Sequence, residues 1–275
     1  MSASLTEINR LRITRIHEIK RESPTVKTFT FHDKLCSKAR PGQFIMVWIP
    51  RVDEIPMSLS AIGSDWQSSM TVANVGEATD ALHQKKAGDL IGVRGPYGNC
   101  FTLAKGNTII VGGGTGLAPL APLAEELAES PARVTFVAGA KTRNELLLLD
   151  RLTAILSRID GTVITATEDG SHGIRGLATD ASQQLLEKKQ FDMIYTCGPE
   201  AMMYKMFFQA ERYEVPLQAS LERLMRCAIG ICGSCLIGRF RVCREGPVFS
   251  SKQLREVKEE FGRYRRDGTG KKCSL

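Results

Sequence analysis

The sequence has no run of about eighteen apolar residues, so it predicts no membrane-spanning helix and no membrane partner. Residues 1–15 lack the apolar centre of a secretory signal, and we expect a cytoplasmic protein. Basic motifs interleaved with aromatic residues are also absent, which argues against nucleic acid despite a formal charge of +7. Eight Lys or Arg against four acids fall within residues 251–275, a basic tail typical of a solvated face or a docking surface.

The pattern of a small secreted disulfide protein is missing, although the chain has eight cysteines. Four of them cluster with the spacing C-x4-C-x2-C-x7-C, at Cys227, Cys232, Cys235 and Cys243. The first three match the plant-type [2Fe–2S] loop, and Gly230 and Gly233 let the backbone pass close to a cluster. A four-thiolate zinc site is the alternative, but zinc ligands usually come as two short pairs.

The two best-known phosphate-binding fingerprints are absent as well, since there is neither a G-x-G-x-x-G motif nor a P-loop. The chain has instead four glycines around Thr115, between an apolar strand and a helical pattern. Backbone amides at such a turn suit a phosphate, whereas a plain tight turn is the alternative. Cys197-Gly198-Pro199 likewise follows a strand and precedes a helix, at the sheet edge where α/β proteins bind ligands. Glu168 and Asp169, at another strand end, are either ribose ligands or a solvated turn.

The distribution of strands and helices predicts a multi-domain β plus α/β protein. Short strand-like runs separated by turns fill residues 1–103 and predict an antiparallel barrel. Strand and helix patterns alternate over 104–215, which predicts a parallel α/β domain, with one helix over Glu145–Ile159. Residues 216–250 are Cys- and Gly-rich and form the expected cluster domain. The basic tail 251–275 follows, with a polar helix expected over Lys252–Arg266.

Together these motifs resemble the ferredoxin-reductase superfamily, and within it the electron-transfer subunits of NAD-linked dihydroorotate dehydrogenases. The resemblance covers nearly the whole chain. It rests on five motifs and the C-terminal Gly246–Phe249: Pro56-Met57-Ser58, Arg94-Gly95-Pro96-Tyr97-Gly98, Gly112–Pro119, Cys197-Gly198-Pro199 and Leu221–Cys227. It implies an N-terminal flavin-binding barrel, a nucleotide-binding domain and a small C-terminal [2Fe–2S] domain.

The resemblance also implies roles for matching residues. FAD would lie along a first strand at Ile55, Pro56, Met57 and Ser58. It would then contact a second strand at Val72, Ala73 and Asn74. Its diphosphate would be held by the following loop, at Gly76, Ala78 and Thr79. NAD(H), as co-substrate, would face the glycine-rich loop and the Cys197 turn: Gly112, Gly113, Gly114, Thr115, Gly116, Cys197 and Gly198. The clustered cysteines would hold the [2Fe–2S] cluster.

One departure stands at Ile55, where the family usually has Arg. The missing cation is expected to be replaced by Arg51, by Arg94 or by backbone amides. The last cysteine spacing, seven residues, is also short for the family and predicts a trimmed hairpin.

The function implied is electron transfer between NAD and an FMN-containing dihydroorotate dehydrogenase catalytic subunit, in a two-plus-two heterotetramer of pyrimidine biosynthesis. Because the redox centres are cofactors, we expect no catalytic acid–base side chain. The alternatives are a reductase subunit of a hydrogenase or of a glutamate-synthase-like complex, and a zinc-stabilised docking module without flavin. The choice between NAD and NADP stays open at this stage.

Overall fold

The computed structural model describes residues 4–274. Its helices are α1 (Leu5–Asn9), α2 (Glu77–His83), α3 (Leu117–Ala128), α4 (Leu149–Leu156), α5 (Ala178–Lys188), α6 (Glu200–Arg212) and α7 (Ser251–Glu256). Its strands are β1 (Arg12–Ser23), β2 (Val26–His32), β3 (Phe44–Ile49), β4 (Asp53–Ile62), β5 (Gln67–Ala73), β6 (Leu90–Tyr97), β7 (Gly106–Gly113), β8 (Ala132–Ala140), β9 (Thr162–Thr167), β10 (Ile174–Arg175), β11 (Met193–Cys197), β12 (Leu217–Ser220), β13 (Leu236–Ile237), β14 (Phe240–Arg241), β15 (Val248–Ser250), β16 (Tyr264–Arg266) and β17 (Lys272–Ser274).

The first six strands close into an antiparallel barrel in the order β1-β2-β5-β4-β3-β6. Its interior is filled by apolar side chains such as Phe29, Ile45 and Val93, all fully buried. Along β2, for example, Phe29 and Phe31 alternate with Thr28 and Thr30, which places the phenyl rings on one face of the strand. Closure also removes the free sheet edges. The predicted barrel is confirmed, although the sequence patterns did not identify β4.

The second domain is a seven-stranded sheet in the order β10-β9-β8-β7-β11-β12-β15. All neighbouring strands are parallel except β15, which runs antiparallel to β12. Helices α3 and α4 bury Leu120 and Leu152 on one face, and α5 and α6 bury Ala181 and Phe207 on the other. The predicted parallel α/β domain is confirmed, and the structure shows that helices cover both faces of its sheet.

The cysteine-rich segment lies between β12 and β15, so the α/β sheet takes its last two strands from residues 216–250. Within it, β13 and β14 form a short hairpin. The chain thus leaves the sheet at Ser220 and returns to it at Val248. Both ends of the cysteine-rich segment are therefore fixed by hydrogen-bonded strands.

Two predicted helices differ from the structure. The tail helix expected over Lys252–Arg266 was wrong, because α7 ends at Glu256 and a β16–β17 hairpin follows. Gly262 has a φ of +75°, which a helix does not accommodate, and Phe261 is buried rather than solvated. The helix expected over Glu145–Ile159 begins only at Leu149, because Leu148 adopts a left-handed φ of 57°. No helix within residues 4–274 is long and apolar enough to cross a membrane.

Candidate functional site

The glycine-rich loop joins β7 to α3. Gly112 and Gly113 end the strand, residues 114–116 form a single 3-10 turn, and α3 begins at Leu117. A side chain at Gly112 would meet Leu117 Cδ2 at 2.7 Å, whereas the space beside Gly114 is open and Thr115 is exposed. The loop therefore packs tightly on its protein side and presents bare backbone outward, at the N-terminus of a twelve-residue helix.

The Cys197 turn lies directly beside this loop. Cys197 and Gly112 are register partners on the adjacent parallel strands β11 and β7. A Cβ at Gly198 would lie 2.8 Å from the Gly113 carbonyl oxygen, and Gly198 itself has a φ of +147°. The two motifs that were recognised separately in the sequence thus form one continuous surface at the carboxyl edge of the sheet, the usual ligand edge of such folds.

The Cys197 thiol is neutral at physiological pH. Burial, with the nearby Glu222 carboxylate, raises the pKa of Cys197 to about 12, against the lowering effect of a hydrogen bond with Ser220. A nucleophilic cysteine needs the opposite shift. The side chain is therefore suited to packing against a bound ring rather than to covalent chemistry.

The strand predicted to carry the flavin is β4. Ile55, Pro56, Met57 and Ser58 are all half-exposed, whereas Val47 and Phe44, which pair with Ile55 and Ser58 on β3, are buried. Helix α3 packs against β4, and the glycine-rich turn contacts β5. The barrel strands with the predicted flavin residues therefore adjoin the glycine-rich loop, as a flavin exchanging hydride with a nicotinamide requires.

The loop after β5 is held closed by Thr79. The Thr79 Oγ1 accepts hydrogen bonds from the amides of Val75 and Gly76, both at 2.9 Å, and donates to the Gly76 carbonyl at 2.8 Å. Val72 is buried below the loop, Ala73 and Ala78 are half-buried, and Asn74 is exposed. The Thr79 hydroxyl thus shapes the loop. The first amides of α2 lack helical partners and remain the donors suited to a diphosphate.

Arg94, one of the residues expected to replace the cation missing at Ile55, already has an anionic partner. Its guanidinium forms a bidentate pair with Glu54, at 2.7 and 2.5 Å, and also donates to Asn9. Arg51, in the exposed β3–β4 turn, has no ion pair among residues 4–274 and is the better candidate. Arg151, which the sequence patterns did not single out, donates to the Ser60 carbonyl of β4 at 2.6 Å while paired with Glu125.

The four clustered cysteines lie on a loop that folds back on itself. Ala228, Gly230 and Gly233 adopt positive φ values of 61°, 80° and 76°. The amides of Ile231 and Cys232 both lie 3.4 Å from the Cys227 sulfur, and the Cys243 amide lies 3.5 Å from the Cys235 sulfur. Amides directed at sulfur are the surroundings that thiolate ligands of a metal require.

Two of the four thiols, those of Cys232 and Cys235, have lowered pKa values. A hydrogen bond from Cys243 lowers the pKa of Cys235 to about 6 in spite of burial, and the pKa of Cys243 is raised in return. Burial acts to raise the pKa of Cys232, but hydrogen bonding with Ser234 and Cys227 brings it down to about 7. Since thiolates are the metal-binding form, Cys232 and Cys235 are the two thiols whose surroundings favour metal binding, and four cysteines are the donor set of a [2Fe–2S] cluster. All eight cysteines are free of disulfides.

Asn99, at the end of the barrel, clamps the segment that follows the last of these cysteines. Its side-chain nitrogen donates to the carbonyls of Glu245 and Val248, at 3.0 and 2.8 Å, and its Oδ1 accepts from the Val248 amide at 2.9 Å. Arg241, next to the loop, donates to the Gly230 carbonyl at 3.0 Å. Neither residue stood out in the sequence, because side-chain hydrogen bonds to backbone groups that are distant in the chain leave no local pattern.

A flavin-type barrel, a glycine-rich nucleotide edge and a four-thiol loop in one body define an oxidoreductase of the ferredoxin-reductase type. Comparison with solved structures agrees. The NADH-dependent reduced ferredoxin-NADP oxidoreductase studied for flavin-based electron bifurcation is 31% identical with a TM-score of 0.81, over 90% of this chain and 92% of that one. Residues 110–206 match the oxidoreductase NAD-binding domain family.

Residues 222–255 match the iron-sulfur cluster binding domain of dihydroorotate dehydrogenase B. The probable dihydroorotate dehydrogenase B (NAD(+)) electron transfer subunit of Methanothermobacter thermautotrophicus is 46% identical over 95% of this chain and 98% of its own length. Its counterpart in Methanocaldococcus jannaschii is 44% identical over 94% of this chain and 97% of its own length. The chain belongs to the family of dihydroorotate dehydrogenase B electron transfer subunits.

Proposed function

We propose that this chain carries electrons between a catalytic subunit that oxidises dihydroorotate to orotate and NAD(H), with FAD and a [2Fe–2S] cluster as its resident cofactors. The observation that carries the proposal is the joining of three surfaces: the half-exposed strand β4, the glycine-rich loop beside Cys197, and the cysteine loop. Helix α3 ties the first two together, and Asn99 ties the barrel to the third.

FAD would be held by residues of the barrel. Ile55, Pro56, Met57 and Ser58 would lie along its ring system and ribityl chain, and the amides that open α2 would receive its diphosphate. Val72, Ala73, Asn74, Gly76, Ala78 and Thr79 would shape that second contact. When bound, a flavin can exchange a hydride with a nicotinamide and single electrons with an iron–sulfur cluster. Arg51 would supply the charge absent at Ile55.

The nucleotide would be bound at the sheet edge. Bare backbone at Gly112, Gly113, Gly114, Thr115 and Gly116 would receive phosphates, and the neutral Cys197 with Gly198 would lie against the nicotinamide. Glu168 and Asp169 directly follow β9 at the same edge of the sheet, and both are exposed. A carboxylate at this position accepts ribose hydroxyls and repels a 2′-phosphate, which favours NAD over NADP.

The cluster would be held by Cys227, Cys232, Cys235 and Cys243, and the partner subunit would dock over its exposed side. Cys232 is exposed, and the neighbouring Ile231 side chain is 78% exposed. An accessible thiol flanked by an apolar side chain suits transfer to a second protein. The partner is an FMN-containing catalytic subunit, in a two-plus-two heterotetramer. Eight free cysteines agree with a reducing cytoplasm.

The test starts with the anaerobically purified chain. Its visible spectrum, iron, sulfide and zinc contents, and released flavin are measured, and FAD with a [2Fe–2S] cluster is expected. The chain is then mixed with the candidate catalytic subunit, dihydroorotate and NAD. Formation of NADH only when both proteins are present supports the proposal. FAD and cluster without this coupling would assign the chain to another reductase complex, and zinc without flavin would overturn electron transfer altogether.

A further inference from the structure

Glu200 and Arg223 form a buried ion pair between the nucleotide edge and the cysteine loop. Arg223 Nη1 lies 2.6 Å from Glu200 Oε2, and Nη2 lies 2.8 Å from Oε1. The Arg223 side chain is only 2% exposed and the Glu200 side chain 9%. Glu200 begins α6, three residues after Cys197, and Arg223 lies four residues before Cys227. The pair therefore connects the two ends of the proposed electron route through a single contact.

A third segment joins the same pair. The Gly262 amide donates to Glu200 Oε1 at 2.9 Å, while Arg223 Nη1 also donates to the Glu222 carbonyl at 2.8 Å. Gly262 has a φ of +75°, and a side chain there would overlap Tyr204 of α6. The start of α6, the approach to the cysteine loop and the C-terminal segment are thus held by one network of charge-assisted hydrogen bonds.

This network fixes the relative position of the three segments more than it contributes to the stability of the fold. Desolvation of two buried charges offsets most of their attraction, so buried pairs contribute little net stability compared with apolar residues of similar size. A bidentate guanidinium–carboxylate pair, however, fixes both the distance and the orientation of its two partners. An apolar replacement could fill the same volume without fixing the orientation.

We propose that Glu200 and Arg223 are positioning residues that hold the cysteine loop in register with the nucleotide edge. The inference rests on the proposed electron-transfer function for its purpose, but the mechanical role can be measured without it. Loss of the pair frees the approach to Cys227, and the amides of Ile231 and Cys232 then lose the fixed sulfur they face. Neither residue takes part in the chemistry itself.

The experiment compares amide hydrogen exchange across residues 221–235 in the purified full chain and in Glu200→Gln, with samples matched for iron content. We expect exchange at Ile231 and Cys232 to accelerate at least about tenfold, because loop opening becomes easier. Glu211→Gln is the matched control, since Glu211 lies on the same helix and forms an exposed bidentate pair with Arg255 at 2.6 and 2.8 Å. This control should leave the loop within about twofold of the original chain.

A double variant, Glu200→Met with Arg223→Met, separates position from stability. It should unfold at nearly the original temperature, because no charge is left unpaired, yet keep the fast exchange of the loop. The proposal would be overturned if the double variant had both the unfolding temperature and the slow loop exchange of the wild-type chain. Unchanged exchange in Glu200→Gln would overturn it as well. Stopped-flow reduction by NADH then tests the purpose: slower bleaching of the cluster with unaltered flavin reduction is expected in the double variant. Absence of any NADH reduction in the unmodified chain would instead contradict the proposed function.

Discussion

Gly116 and Cys197 touch through their backbones: a single added carbon at Gly116 would overlap the carbonyl of Cys197 and the amide of Gly198. The turn that precedes α3 and the end of β11 can approach this closely only because residue 116 has a hydrogen atom in place of a side chain. The proposed nicotinamide site is therefore built from the 3-10 turn after β7 and the end of β11, which have almost no room to move relative to each other.

The first prediction concerns this contact. Gly116→Ala should lower the free energy of unfolding by about 1–3 kcal/mol, because rigid backbone has to move to admit the methyl group. It should also raise the KM for NADH about tenfold or more, since both binding loops are displaced. Gly268→Ala is the control, because its nearest neighbour would be Arg226 Nη2 at 3.5 Å. Equal stability of the two variants would argue against a tight backbone contact.

A second prediction tests the cysteine loop. Cys243→Ser should remove the visible absorption and the iron of the cluster, because a hydroxyl is a poor substitute for a thiolate ligand. Cys100→Ser, outside the loop, should retain both. The measurements are the absorption spectrum and iron analysis after anaerobic purification. Retention of a full cluster by Cys243→Ser would exclude Cys243 as a ligand.

The third prediction is a pH dependence at Asp33, whose carboxylate pairs with Arg12 at 2.7 Å and accepts from the Cys36 amide at 2.9 Å. Burial opposes ionisation, but Arg12 and the amide outweigh it and lower the pKa of Asp33. With the pKa in the folded chain below that of the unfolded chain, Asp33 stabilises the fold fully above about pH 4 and loses this effect as the pH falls further.

Asp33→Asn should therefore cost about 1–3 kcal/mol of unfolding free energy at pH 7, and the difference from the original chain should shrink below about pH 4. Denaturant titrations at several pH values measure it. The exposed Asp160, changed to Asn, is the control and should show only a small difference from the wild-type chain. If the difference in unfolding free energy between Asp33→Asn and the wild-type chain grew as the pH fell, the lowered pKa of Asp33 would be contradicted.

A fourth prediction addresses the Asn99 clamp. Asn99→Ala removes three hydrogen bonds to residues 245–248 and leaves backbone groups without partners, which should cost about 2–4 kcal/mol of unfolding free energy. Asn144→Ala, on an exposed loop, should be nearly neutral. Thermal and denaturant unfolding give the comparison. Should both variants behave alike, Asn99 would not be holding the barrel to the cysteine segment.

The sequence carried the main features of the fold because they depend on local patterns. Strand periodicity revealed most of the barrel, and alternation of strands and helices revealed the α/β sheet. Strand β4 escaped because Pro56, which cannot donate a ladder hydrogen bond and usually argues against a strand, stands in its middle. The tail helix failed because Phe261 and Val257 are buried by residues far away in the chain, which charge counting along the tail does not detect.

The parts of the candidate site that could be predicted are the glycine-rich turns and the cysteine ligands with their regular spacing. The parts that could not be predicted are the ion pairs between distant side chains. Functional glycines and cysteines can be recognised in the sequence by their spacing. The neutralisation of Arg94 by Glu54, and the burial of Arg223 with Glu200, depend on partners 40 and 23 residues away. Such partnerships are set by tertiary packing, so a lone charged residue in the sequence looks the same whether it is paired or free.

The placement of the cysteine loop between β12 and β15 means that it is an insertion within a sheet and not a pendant module on a tether. The motion of the cysteine loop is limited because β12 and β15, at its two ends, are hydrogen-bonded into the sheet. Formation of the sheet therefore fixes the distance between the cysteine loop and the rest of the domain. A chain cut before Val248 would not merely lose the last strand. It would expose the β12 edge, and an open edge of that kind invites association with other chains.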